Sequence, residues 1–449
     1  MKKYDKYKIT KNVWFPELPI HWILTKVKYI SHTIAGGTPS TDRLDFWDNG
    51  NIPWLPSGKL QNCDITTAEK FITEEGLNNS STKWIKPNTT LIALTGATCA
   101  NIGYLRFKAC ANQSVIAIDE FRDKADSRFL FYMFIDMRKQ ILTHQSGGAQ
   151  AGINDGNVKN LFLTIPYLNE QTKIAQYLDH QTAIIDQLIQ QKEKLIALLK
   201  EKRQAIINEA VTKGLNPNAK MKDSGVEWLG EVPEHWVFKK LSYNTYMKGR
   251  IGWQGLRQDE FIETGPYLIT GMNFKDGKIR WDEVYHISQE RYEEAPEIQL
   301  REGDVLMTKD GTIGKLLFID YLPGPTSLNS HLLVLRPTDN SYIPKFLYYQ
   351  LMSQLFLEHV ELNKTGTTFY GITQEAMGRY KMLLPALSEQ KAIVFYIEES
   401  IRKIEELSNK LLIQIDRLKE YRQSLISEAV TGKIDLRDWK LSEPQMNAD

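Results

Sequence analysis

Cysteine is scarce in this chain. Only Cys63, Cys99 and Cys110 occur in 449 residues, and none sits in a C-x-x-C pair. That excludes a disulfide framework or a structural zinc knuckle and suits a reducing compartment. No apolar run approaches the ~20 residues that cross a bilayer. The opening Met1-Lys2-Lys3-Tyr4-Asp5 leads into a polar stretch without the apolar core of a secretory signal. A cytoplasmic location is therefore expected. Charge of one sign is missing too: 56 Lys+Arg against 55 Asp+Glu leave a net +1. A protein that gripped nucleic acid unaided would be clearly basic, because phosphate neutralisation supplies most non-specific affinity. Residues 1–165 carry 20 basic and 15 acidic side chains, a mild local excess.

Catalytic signatures are missing as well. There is no Pro-Pro dipeptide, so the Asn/Asp-Pro-Pro-aromatic motif of amino-methylating enzymes is absent. No G-x-x-x-x-G-K-[ST] loop signals an ATP-driven motor. Eight histidines are scattered without ligand spacing, and no metal site is expected. His21 and His235 recur at equivalent places, each beside a tryptophan at the entrance to a domain, which favours a structural role. These absences point to a binding module. At 449 residues the chain exceeds one compact core, so two or more domains are expected.

What is present is written twice. Residues 17–30, ELPIHWILTKVKYI, match 231–244, EVPEHWVFKKLSYN. Residues 166–212 match 385–431 without a gap, with 19 of 47 positions identical. Among these are Glu170-Gln171 with Glu389-Gln390 and Arg203-Gln204 with Arg422-Gln423, ending in a repeated Glu-Ala-Val-Thr at 209–212 and 428–431.

The repeated segments have a helical period. Leu178, Ile185, Leu199 and Ile206 share one seven-residue ladder, interrupted by Lys192, and Ile397, Ile404, Leu411, Leu418 and Leu425 form its second copy. Leu188, Leu195 and Leu407 take the companion position of a coiled-coil seam. Pro166 and Pro385 precede the helices, Asn169 and Ser388 are the expected N-caps, and Gly214 and Gly432 are placed to end them. A helix of about 44 residues is roughly 65 Å long at about 1.5 Å per residue, and its narrow apolar stripe needs a mate. A parallel pairing of the copies would make the chain return the whole helix length, so an antiparallel pair is expected. Ile189 and Ile196, beside the seam, are surplus and suggest that a further helix packs there.

The intervening segments read as short β-prone runs broken by Gly, Pro, Asn and Asp. Examples are Thr90–Leu94 and Ser114–Ile118, with Asp304–Thr308 and His331–Leu335 as counterparts. The expected fold is α+β: two α/β heads separated by two long antiparallel helices that form a coiled coil, with pseudo-twofold symmetry. Its parts are a head at 1–165, a helix at 166–214, a linker and second head at 215–384, a helix at 385–432 and a tail at 433–449. One loop is more telling than the rest. Ser146-Gly147-Gly148-Ala149-Gln150-Ala151-Gly152-Ile153 aligns with Thr365-Gly366-Thr367-Thr368-Phe369-Tyr370-Gly371-Ile372. Glycines hold both ends while the four side chains between them differ, as two readers of different sequences would require.

Together these residues resemble the specificity subunit of type I restriction-modification systems. The resemblance rests on Pro19-Ile20-His21-Trp22, on Gly36-Gly37-Thr38-Pro39-Ser40 with Phe46-Trp47 and Ile52-Pro53-Trp54, and on Asn112-Gln113. It rests also on the Pro-x-Leu-x-Glu-Gln starts at 166–171 and 385–390 and on Glu-Ala-Val-Thr-Gly-Lys-Ile-Asp at 428–435. The second head departs from the Gly-Gly-Thr-Pro-Ser pattern, carrying Gly249-Arg250-Ile251-Gly252-Trp253-Gln254-Gly255. The resemblance implies a non-catalytic subunit whose heads each read one half of a split, asymmetric target in double-stranded DNA. It implies two methylase subunits that bring S-adenosylmethionine, and two motor-nuclease subunits that work with ATP and Mg²⁺. Candidate DNA contacts are Thr38, Ser40, Lys59, Gln113, Ser146 and Gln150 in the first head. In the second they are Gln254, Asn273, Lys309, Asn329, Thr367, Thr368 and Tyr370. Two other readings stay open on the sequence: a stand-alone DNA methyltransferase with an unfamiliar active site, and a coiled-coil scaffold.

Overall fold

Both repeated segments are single long helices, Leu168–Lys213 and Leu387–Val430. The structure, a computed structural model, describes residues 2–147, 151–225, 229–250, 256–275, 277–366 and 370–441. The chain divides into two units, Met1–Lys192 with Ile413–Asp449, and Glu193–Leu412. Each long helix contributes to both.

Asn169 and Ser388 do not cap the helices. The helices begin at Leu168 and Leu387, so both residues stand inside the first turn, where the Glu170 and Gln171 amides already reach the Tyr167 carbonyl at 2.9 and 3.0 Å. The repeated glutamines set this start. Gln171 donates to the carbonyls of Pro166 (2.9 Å) and Lys124 (3.0 Å) and accepts from the Asp126 amide at 2.8 Å. Gln390 does the same with Pro385 (2.9 Å), Ser341 (3.0 Å) and the Ile343 amide at 3.0 Å. Asp126 and Ile343 are the N-cap positions of the head helices Ser127–Asp136 and Pro344–Leu351. One amide side chain thus ties a head helix to the start of a long helix in each unit.

Within each unit the two long-helix stretches run antiparallel. In the first, Arg422 binds Asp186 at 2.9 and 3.2 Å and Lys192 binds Gln414 at 2.7 Å. In the second, the same pair recurs as Arg203 with Glu405 at 3.8 Å. Exposed pairs of this kind add little stability and mainly fix register. The apolar seam does the rest. Leu178, Ile185 and Leu425 are buried in the first unit, with Leu418 packed against them, while Leu199, Ile397, Ile404 and Leu411 are buried in the second, with Ile206 alongside.

The companion seam position differs from the expected one. Leu188, Leu195 and Leu407 are 40, 41 and 43% exposed. The residues that pack beside the ladder are Ile189, Ile196, Ile401 and Ile415, four places after a ladder residue or its gap rather than three. The ladder is therefore the d position and its companion the following a, which reverses the expected roles. The isoleucines are spent on the seam, and the leucines are left facing outward.

Each head is built on a sheet buried on both faces, which explains its continuous apolar runs. The first head orders Ser31–Ala35, Val115–Glu120, Thr89–Ala93, Ile102–Leu105 and Cys63–Ile65 into five strands. Ile92, Ile116 and Ile118 point to the core shared with the head helix and the long helices, while Leu91, Ala93, Val115 and Ala117 enter a second core. The second head has four strands, Thr245–Lys248, Leu332–Pro337, Val305–Thr308 and Leu316–Phe318. There Val305, Met307, Leu333 and Leu335 face one core, and Leu306, Leu332 and Val334 the other.

The repeated Pro-x-His-Trp segments close each unit. Glu170, 3% exposed, accepts from Trp22 Nε1 at 3.2 Å and from the Tyr4 hydroxyl, and pairs with His21 Nε2 at 2.8 Å. Glu389, 27% exposed, takes Trp236 Nε1 at 3.1 Å and His235 Nε2 at 2.8 Å. The histidines are thus hydrogen-bonded structural groups. Gly432 and Gly214 end the opposite helices with φ of +75° and +74°, the left-handed region that favours glycine. A Cβ on Gly432 would meet Pro19 at 2.6 Å, and one on Gly214 would meet Trp236 at 3.2 Å.

The seam assignment is tested by alanine replacement. Leu188→Ala, Leu195→Ala and Leu407→Ala should change stability by under about 1 kcal/mol, while Ile401→Ala and Ile415→Ala should each cost about 2–4 kcal/mol. Urea unfolding measures both sets, and equal losses would restore the leucines to the seam.

Candidate nucleic-acid interface

Strand ends bring the candidate residues together. In the first head Ala35, Ala93 and the starts of Val115–Glu120 and Ile102–Leu105 lie at one end of the sheet, by the pairings Ile116 with Ala35, Val115 with Ala93 and Ile92 with Ile102. The Asn112 amide reaches the Leu55 carbonyl at 3.0 Å, which brings Pro56–Lys59 to the same end. Thr38, Lys59, Gln113 and Ser146 therefore share one rim with the turn Gly96–Thr98. The second head repeats this. Lys248 pairs with Val334 and Thr308 with Leu332, and the Asn329 amide reaches Ile269 at 3.0 Å. That gathers Gly249–Arg250, Thr270–Asn273, Lys309–Gly314 and Asn329–His331.

The glycine-flanked loops sit on these rims in one shared frame. Ser146 and Gly152 exchange two backbone hydrogen bonds of 2.9 Å, and Thr365 and Gly371 exchange bonds of 2.8 and 2.9 Å. The Ile153 amide binds Leu94 at 2.8 Å and the Leu94 amide binds Ser114 at 2.8 Å. In the second head Ile372 binds Lys309 at 2.8 Å and Lys309 binds His331 at 2.9 Å. Backbone fixes backbone, and the side chains between these bonds can vary.

Individual candidates fare differently. Thr38 and Gln113 hydrogen-bond each other at the rim, and Gln113 is exposed. Ser40 and Ser146 are exposed, Ser40 lending its carbonyl to Trp47 Nε1 at 3.0 Å. Lys59 is half-buried and ion-paired to Glu69. Lys309 and Asn329 are half-buried, and Asn329 accepts from the His331 amide at 3.2 Å. Tyr370 is exposed, with Lys364 Nζ 4.8 Å from its ring centre. Asn273 is the most deeply placed of the described candidates. It is buried, its Oδ1 accepts from the Thr270 amide (2.7 Å) and hydroxyl (2.9 Å), and its Nδ2 donates to Glu283 at 3.0 Å. This buried amide holds the turn Thr270–Asn273 in place. Gln150, Gln254, Thr367 and Thr368 lie outside the described residues.

Sequence reasoning missed Arg250, which is buried at the second rim. Its Nε donates to the Leu328 carbonyl at 3.1 Å and an Nη to Ser327 Oγ at 3.1 Å. Burial, with Arg291 nearby, holds its pKa below the usual arginine value. It missed also the partners Thr95, Ser114, Asp310 and His331. The signal was available: Ser114 and His331 stand one residue, and Thr95 and Asp310 two residues, beyond paired strand ends in both copies. Among the described residues no group of three or more His, Cys, Asp or Glu could hold a metal, and no helix is long and apolar enough to cross a membrane. The three cysteines are free.

A family model described as the type I restriction modification DNA specificity domain matches this chain twice, at residues 19–198 and 252–417. The chain belongs to that family. As a member it is a DNA-recognition subunit, not a catalyst in its own right. It is similar to the type I restriction enzyme MjaVIII specificity subunit of Methanocaldococcus jannaschii, 24% identical over 94% of this chain and 95% of that protein. It is similar also to the EcoKI specificity subunit of Escherichia coli, 22% identical over 96% and 92%. Among solved structures it shares its fold with a chain from work on complex assembly and conformational transition of the type I R-M system. That match has a TM-score of 0.72 and 19% identity, over 93% of this chain and 99% of that one. The HsdS subunit of Thermoanaerobacter tengcongensis is similar at a TM-score of 0.53 and 18% identity, over 93% and 98%.

The rims depend on close backbone approach at two glycines, one just beyond the end of Ser31–Ala35 and one just beyond the end of Thr245–Lys248. A Cβ on Gly36 would lie 2.0 Å from the Asn112 carbonyl oxygen, and one on Gly249 would lie 2.7 Å from that of Leu332. Gly36→Ala and Gly249→Ala should each destabilise their own unit by about 2 kcal/mol or more. Amide exchange should rise at Asn112–Val115 in the first variant and at Asn329–Val334 in the second, and unchanged exchange would show that the rims tolerate the side chain.

Proposed function

We propose that the two heads, 1–165 and 215–384, each read one half of a bipartite, asymmetric DNA target, and that the long helices set the gap between the halves. The observation that carries this reading is the shared rim. The same backbone hydrogen bonds hold Leu94, Ser114 and Ile153 in one head and Lys309, His331 and Ile372 in the other, under different side chains. One scaffold with exchanged readers gives two unlike half-sites. Two linked readers add their discrimination and gain effective concentration over either alone.

The outward-facing leucines support docking of two methylase subunits on the helices. Leu188 with Ile184 is exposed in one unit, and Leu195, Leu198 and Leu407 in the other. Those subunits would supply S-adenosylmethionine and transfer a methyl group to adenine in each half after flipping the base. Two motor-nuclease subunits would complete the restriction complex with ATP and Mg²⁺. With a net charge of only +1 in this chain, the partners would supply much of the phosphate-neutralising surface.

Removing one heptad from each long helix shortens a rod by about 10 Å while preserving its apolar face. In a complex reconstituted with its methylase, mapping of methylated adenines should show the same two half-sites with a gap shorter by at most about three base pairs, given about 3.4 Å per pair. Altered half-site sequences with an unchanged gap would refute the ruler. Methyl transfer by the isolated chain would refute the division of labour.

A further inference from the structure

One pair of positions in each rim carries a side-chain bridge that has been chemically exchanged between the heads. In the first, the Thr95 hydroxyl donates to Ser114 Oγ at 2.8 Å. In the second, His331 Nδ1 meets Asp310 Oδ1 at 2.6 Å. The positions are equivalent by geometry. Thr95 bridges to Gly152 as Asp310 does to Gly371. Ser114 and His331 accept the backbone bond from the residue before the bridge partner, Leu94 and Lys309. The bridge is kept while its chemistry changes from two hydroxyls to a carboxylate and an imidazole.

We propose that these bridges are the specificity-determining contacts of the two heads, each presenting one oriented polar atom to a base edge. The proposal rests on the reading of the chain as a bipartite DNA reader and deepens it. In the second head the Asp310 carboxylate accepts a hydrogen bond from His331 Nδ1–H and so fixes the imidazole's orientation. Nε2 then has no protein partner among the described residues, and the His331 side chain is 57% exposed. As a neutral ring it accepts from an exocyclic amino group of adenine or cytosine; carrying a second proton it donates to guanine N7 or O6. Asp310, 26% exposed, lines a cleft of about 450 Å³ with Gly249, Lys309, Thr365 and Gln374. That cleft leaves room beside Asp310 and places Lys309 there as well. In the first head the Thr95 bond leaves the Ser114 hydroxyl proton free to donate, a shorter and uncharged probe. Both are held from behind by a second side chain, so neither pays the full ordering cost of a free side chain on binding.

The test uses the full chain reconstituted with its methylase subunit and a panel of duplexes, each carrying one base-pair change in one half of the target. The parent complex, His331→Ala and the double exchange Asp310→Thr with His331→Ser are compared by competition binding, with thermal unfolding of each complex as a control. For His331→Ala, discrimination at one base pair of the second half should fall from roughly tenfold or more to near unity, with the other positions and the first half unchanged. The double exchange should alter the preferred base at that same position. Uniform weakening across all duplexes, with or without a lower unfolding temperature, would make the pair a structural or phosphate contact and overturn the proposal. So would unchanged discrimination. A parent complex that shows no two-part discrimination would overturn the bipartite reading itself, and the pair assignment with it.

Discussion

Everything in each unit hangs on a carboxylate that cannot be left alone. Glu170 is buried at the first turn of a long helix, and an unpaired charge there would be costly. Its partners come from the head, through Tyr4, His21 and Trp22, and the stack is closed by the glycine that ends the other long helix. Burial and the neighbouring Glu170 push the Tyr4 hydroxyl well above the ordinary tyrosine range, so it stays a donor. Glu389 repeats the arrangement with His235, Trp236 and Gly214 in a more open setting. Because head, helix start and helix end meet at one charge, each head is fixed to its helices by polar geometry as well as by packing.

That joint explains why the recognition rims can vary so freely. The head is oriented from below by Glu-Gln and the entrance motif, and its strands are locked by two apolar cores. The rim contributes little to either. Its backbone is held by bonds between strand ends and loop bases, and these bonds are the same under Thr95 and Ser114 as under Asp310 and His331. A protein that must read a new sequence without losing its partners needs this separation between a fixed mount and an interchangeable surface. Thr95–Ser114 and Asp310–His331 are two occupants of one mount.

The sequence made the repeat, the long helices and their antiparallel pairing legible, because a heptad ladder and a gapless internal match are strong, long-range signals. The companion seam position was misread, because Leu188, Leu195 and Leu407 look like seam residues three places along. Only the contacts show that isoleucines four places along fill that role. The helix starts were read two residues late, since Asn169 and Ser388 have N-cap chemistry but the glutamines two places on dictate the turn. The strand runs and the glycine-flanked loop were visible. What each rim side chain does was not. Asn273 has the chemistry of a base reader and holds a turn, while Asp310 and His331 are unremarkable letters until strand register sets them face to face.

The dependence on the buried carboxylate is tested most directly by amide exchange of the full chain carrying Glu170→Ala. Exchange should rise together at residues 2–22, at the start of the first long helix and at residues 431–441, while Thr89–Ala93 and Val115–Glu120 and the whole of the second unit keep their protection. Unchanged protection at those three segments would contradict the account, and so would uniform loss across the first unit.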